Sequence, residues 1–198
     1  MGKIKSIDTQ KIVMLALFTA IVIALQVLGV FIRFGPFAIS LVLMPIAIGA
    51  AFMGAIAGGW LGLVFGFVVL ISGDAGAFLA INPVATVFVV LFKGALAGFV
   101  AGVLYRIFES RSKTFAAIAA AIACPIINTG VFILGCYVFF LPTLTEWGFA
   151  AGAASVTAFI FLVLVGANFL FELGVNIILS PAIVRLVQYR MGIKAEAQ

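Results

Sequence analysis

Few side chains in this sequence can hold or move charge, and several of them fall inside apolar runs. Lys93 stands in the middle of NPVATVFVVLFKGALAGFVAGVLYR, residues 82–106. An ammonium at mid-bilayer depth costs at least about 2.5 kcal/mol, so it must be neutralised or used. Asn168, Glu172 and Asn176 recur every four residues and form one polar stripe if that stretch is helical. At about 1.5 Å of rise per residue, Lys93 and Glu172 reach similar depths. Asn128 and Thr129 do the same in another run, and Gln26 lies nearer the end of the first. Two chemistries are open. Lys93 and Glu172 match in number and sign as a buried structural pair. Alternatively, Lys93 meets an anionic group of a ligand on which Asn128, Asn168 and Glu172 converge. Both hold if the ligand competes for the lysine.

Between the apolar runs lie Arg33, Ser72, Asp74, Asn82 and Glu146, with Phe34, Phe37, Phe78, Tyr137 and Trp147 beside them. An apolar pocket with a few placed polar groups is how small ligands are held. The candidate binding set is therefore Lys93, Asn128, Asn168, Glu172, Asn82, Arg33 and Tyr137. For the aromatics the competing role is the interfacial belt, which is preferred for Trp147. Catalytic chemistry has little support. Histidine is absent, so no Ser/His/Asp set exists, and there is no Walker sequence, no HExxH and no cysteine cluster. Cys124 and Cys136 share one run, roughly 18 Å apart along a straight helix and out of reach of each other. No catalytic residue, metal or cofactor is expected, and an enzyme is not.

The surrounding sequence must place these groups in a membrane. Of 198 residues, 66% are hydrophobic and 9% charged, with a mean hydropathy of +1.41. Apolar runs longer than 18 residues with at most one charge are the membrane-helix signal. The expected fold is an all-α membrane protein, a single integral membrane domain over residues 1–198 with six transmembrane helices. The spans are read as 12–32, 38–52, 55–71, 82–105, 114–141 and 156–187, with loops over SGDAGAFLAINP and PTLTEWGFAAGAAS. The start of the chain is read as the first span rather than as a cleaved signal peptide. Lys3, Lys5, Lys11, Arg106, Arg111, Lys113, Arg185, Arg190 and Lys194 fall on one side of such a bundle, and only Arg33 on the other. The positive-inside rule then makes both termini cytoplasmic. The net charge of +5 is mostly this topogenic charge and does not suggest nucleic acid.

Small residues mark the packing faces. Gly54, Gly58, Gly62 and Gly66 recur every four residues in one run, and Gly94, Gly98 and Gly102 in another. Such stripes let helix backbones approach closely, and internal packing is their expected use. Ala16, Ala20 and Ala24 form a third stripe, whose partner is another span, lipid or another protein.

With six spans, both ends inside, the stripe in ALFTAIVIA, the segment GPFAISLVLMPIAIGAAFMGAIAGGWLGLVFG and the NP opening at Asn82, the chain resembles the substrate-binding S component of an energy-coupling factor (ECF) vitamin transporter. The resemblance covers nearly the whole length. It implies high-affinity binding of one water-soluble vitamin or related micronutrient, in a pocket between spans four to six that outer loops close. Phe34, Gly35, Asp74 and Phe78 fall in those loops. It implies docking through Ala16, Ala20 and Ala24 onto a membrane coupling subunit that carries two cytosolic ATPases, in a prokaryotic plasma membrane. A carboxylate facing Lys93 or Arg33 favours pantothenate, with riboflavin next because a ring suits the aromatics. A stand-alone small transporter or channel, or a membrane scaffold without a ligand, are the rival readings.

Overall fold

A computed structural model describes residues 9–29, 33–34, 37–38, 41–166 and 168–179. Helix α1 is Thr9–Gly29. Two strands of two residues, β1 (Arg33–Phe34) and β2 (Phe37–Ala38), pair antiparallel, with Phe34 opposite Phe37. Then follow α2 (Leu43–Met53), α3 (Ala55–Ile71), α4 (Gly76–Ile81), α5 (Pro83–Phe108), α6 (Lys113–Phe139) and α7 (Leu141–Ala150). A short α8 (Val156–Ala158) runs into a π-helical stretch, Phe159–Gly166, and α9 is Asn168–Leu179.

Local chemistry sets the ends. Asn82 Oδ1 accepts the Ala85 N–H at 3.1 Å and Pro83 follows, so α5 starts with a capping side chain and a residue that needs no N–H partner. Ser112 and Ser155 cap α6 and α8 in the same way. Gly54, at φ 95°, separates α2 from α3 in a conformation that only glycine adopts cheaply. Pro125 stays inside α6, buried, as neighbouring helices permit in a membrane bundle.

Three helices, α1, α5 and α6, are long and apolar enough to cross a bilayer. The pair Val156–Gly166 and Asn168–Leu179, bent by 41°, makes a fourth if taken as one span. The expected spans two and three appear as shorter helices of 11 and 17 residues. At 1.5 Å per residue α2 is only about 16 Å long, against a hydrocarbon core of about 30 Å. The expected sixth span, 156–187, is described only as that bent pair, as far as Leu179; residues 180–187 lie outside the described ones, as do both termini with Lys3, Lys5, Arg185, Arg190 and Lys194. The two expected loops contain helices. In α7, Leu144 and Gly148 are four apart and buried, so a one-sided helical pattern outweighs the Pro and Gly/Ala/Ser composition that suggested a loop.

The bundle is inside-out relative to a soluble protein. Ile56, Val84, Phe149, Leu162 and Ile178 are at least 74% exposed, while Gln26, Thr86, Asn128, Glu172 and Asn176 are at most 5% exposed. Lipid rewards this arrangement and water does not. The glycine stripes are internal packing. A Cβ on Gly58 or Gly62 would fall on the carbonyl oxygen of Gly98 or Gly94, and one on Gly66 would lie 2.7 Å from the Val90 oxygen. The stripes therefore run antiparallel, backbone against backbone. A first core joins α1, α2, α3, α5 and α6, and a second gathers around Phe140, Leu144 and Ile160.

Candidate functional site

A cavity lies where the two cores meet. Gln26 enters it from α1, Phe65 and Val69 from α3, and Asp74, Ala75 and Phe78 from the crossing between α3 and α5. Thr86, Val89, Val90 and Lys93 come from α5, and Asn128, Thr129 and Phe132 from α6. Phe140, Leu164, Val165, Asn168, Phe169 and Glu172 complete the wall. Measured at the centres of water-sized spheres the volume is about 100 Å³. One water needs roughly 10–15 Å³ on that measure, so the space suits a small organic molecule better than a single water.

The α3–α5 contact positions the charged centre. Lys93 directly precedes Gly94, so the glycine register fixes where its side chain leaves α5. Its Nζ lies 5.1 Å from the centre of the Phe132 ring and 5.9 Å from that of Phe65. Ring faces attract a desolvated ammonium, and this contact offsets part of its cost of burial. Glu172 lines the same cavity. Asn176 is not among the cavity's lining residues; its Nδ2 donates to the Glu172 carbonyl at 2.8 Å, and its Oδ1 accepts no hydrogen bond among the described residues.

Asn128 is 5% exposed, and its Oδ1 accepts no hydrogen bond among the described residues. A buried acceptor left unmet costs about 1–3 kcal/mol. Close to it are the aromatic walls. Phe78 meets Phe132, Phe140 and Trp147 edge-on, with ring centres 5.6, 5.0 and 5.9 Å away. At the same end Gln26 Nε2 donates to Asp74 Oδ2 at 2.8 Å.

The structure thus brings Lys93, Asn128, Asn168 and Glu172 together, with Asp74 and Phe78 beside them. Other candidates stand elsewhere. Asn82 is exposed and caps α5. Tyr137 donates through its hydroxyl to Thr157 Oγ1 at 3.0 Å and does not line the cavity. The backbones of Arg33 and Phe34 lie in β1, and their side chains and Gly35 fall outside the described residues. Ala16, Ala20 and Ala24 are all exposed on α1. Phe65, Phe132, Phe140 and Phe169 escaped the sequence reading, because phenylalanine is spread through every apolar run and only their convergence marks them.

An apolar-skinned helical bundle enclosing a cavity with an ammonium and an unmet amide acceptor is a membrane-embedded binding protein. A family model described as the ECF transporter, substrate-specific component, matches residues 10–184, and the chain belongs to that family. No curated protein and no solved structure matches the chain. Substrate-specific components bind the transported micronutrient and associate with other ECF transporter components; they are not enzymes. The chain is accordingly a multi-pass membrane protein serving substrate-specific uptake.

Proposed function

We propose that this cavity holds one water-soluble vitamin or related micronutrient during its uptake across the cell membrane. The observation that carries the reading is the Asn128 Oδ1, buried on the cavity wall with no protein donor among the described residues. A protein keeps so costly a group where a ligand completes it. Lys93 is the group for a carboxylate or carbonyl of the substrate, as in pantothenate. A second reading, riboflavin, gains support from the five phenylalanines on the wall, which suit a flat ring.

The register of the helices supports one orientation. Gly54 packs beside Arg106, and Gln26 bonds Asp74 at the opposite end. Lys11, Arg106, Arg111 and Lys113 therefore gather away from the Asp74 end of the cavity. If six passes are completed by the short helices, positive charge inside means a cavity open to the outside and cytoplasmic termini. The exposed Ala16, Ala20 and Ala24 are the face for a membrane coupling subunit, with ATP hydrolysis on two further cytosolic subunits. Native mass spectrometry of the purified protein tests the reading. A discrete adduct of vitamin mass is expected. Absence of an adduct, with no heat of binding from a vitamin panel, would refute it and favour a scaffold.

A further inference from the structure

The charged groups that line the cavity do not balance. Among the described residues its wall carries one ammonium, Lys93, and two carboxylates, Asp74 and Glu172, which leaves one negative charge in excess. Hydrogen bonds to the acids do not change this count: the one that Asp74 accepts from Gln26 comes from a neutral amide and leaves the charge in place. Both carboxylates act on the Lys93 charge through space. If one acid holds a proton the wall is neutral, and Lys93 still faces a counter-ion there.

The ammonium is served in a second way, by the rings of Phe132 and Phe65, whose centres lie 5.1 and 5.9 Å from its Nζ. A ligand carboxylate would therefore lose its water for an ammonium that already has counter-charge, and would meet two like charges in a space of low polarity. The hydrogen-bonding capacity left on the wall points the same way. Asn128 is 5% exposed, and its Oδ1 accepts no hydrogen bond among the described residues. That oxygen calls for an N–H or O–H donor, which an ionised carboxylate lacks. Lys93 donates hydrogen bonds as well as carrying charge, so a neutral carbonyl suits it.

We infer that the cavity selects its occupant by charge: it takes an uncharged or cationic molecule that donates an N–H or O–H to Asn128 Oδ1, and it disfavours the carboxylate form of the same molecule. The inference rests on the micronutrient reading for the occupant's natural identity, and within that reading it places a carbonyl rather than a carboxylate at Lys93. Ligands that differ only in charge test it, on the full chain in phosphatidylcholine nanodiscs at neutral pH. Pantothenol is titrated against pantothenate, and nicotinamide against nicotinate, by calorimetry. In a pair that binds, the uncharged member is expected to bind at least about tenfold tighter. Asp74→Asn and Glu172→Gln each remove one negative charge and should narrow that ratio at least about threefold, the anionic member gaining. Where Glu172→Gln does not fold, Asp74→Asn carries this arm. A carboxylate that binds as tightly as its neutral partner would overturn the inference, and so would a ratio unmoved in the folded variants. Benzamidine, benzamide and benzoate share one ring and carry positive, no and negative charge, so they read the selection without any vitamin. Benzamide and benzamidine should raise the thermal unfolding temperature at a concentration where benzoate does not, and Asn128→Leu should abolish the shift. If no vitamin from a wider panel binds while this order holds, the micronutrient reading fails and the charge selection stands. Equal shifts or a larger shift from benzoate would overturn it, as would a ring series and a vitamin panel both without binding.

Discussion

Gly62→Ala adds one methyl group at the closest approach of α3 and α5, and the structure assigns its sign. On propensity alone, alanine in a helix interior gains about 1 kcal/mol over glycine. Against this, the new Cβ would sit on the Gly94 carbonyl oxygen, with the Gly94 carbonyl carbon 2.5 Å away. That is backbone, which cannot rotate aside, so the helices must part by roughly an ångström to restore ordinary contact. Overpacking of this kind costs about 1–3 kcal/mol. Parting α3 from α5 also loosens the flanking Gly58–Gly98 and Gly66–Val90 contacts, which places the cost at the upper end. A net loss of about 1–2 kcal/mol is predicted. Gly130→Ala is the matched control, in the interior of α6 with nothing within 4 Å of its Cβ position, and it should be neutral or stabilising by up to about 1 kcal/mol. Thermal unfolding of both variants in one detergent reads the difference. Equal transitions would refute the claim that these stripes are in backbone contact. Because Lys93 adjoins Gly94, Gly62→Ala should also weaken ligand binding, whereas any purely local fault would not.

Three further outcomes are expected. Asn128→Leu removes the unmet acceptor, so the ligand-free protein should gain about 1–3 kcal/mol in unfolding free energy while calorimetric binding of the substrate is lost; a destabilised variant would show that the amide is structural. Asn82→Ala should cost about 1 kcal/mol through the lost cap, with the dissociation constant unchanged, and a weakened constant would return Asn82 to the binding set. Ala16→Leu with Ala20→Leu should abolish uptake by cells carrying the partner subunits and leave binding by the purified protein intact; unchanged uptake would favour a stand-alone transporter.

Some of this was legible from residue types and spacing. A charge in an apolar run must face inward, whatever the fold, because lipid offers it no partner; hence Lys93, Asn128, Asn168 and Glu172 could be grouped before their contacts were known. Glycines every four residues announce a close helix contact, because their spacing puts them on one face. Tertiary structure decided the remainder. Asn82 and Asn128 are the same residue type beside similar apolar runs, yet the amide oxygen of one finds the backbone of its own helix and that of the other finds no donor among the described residues. Whether α4 and α7 are helices depended on which side chains the cavity wall and the second core would bury. The rings around Lys93 come from Phe65 and Phe132, on helices before and after its own, and no local pattern separates them from the other phenylalanines. Solvation acts on each residue separately and can be read along the chain. Partnership depends on which helices meet and in what register, and the packed backbones of α3 and α5 fix that only in three dimensions.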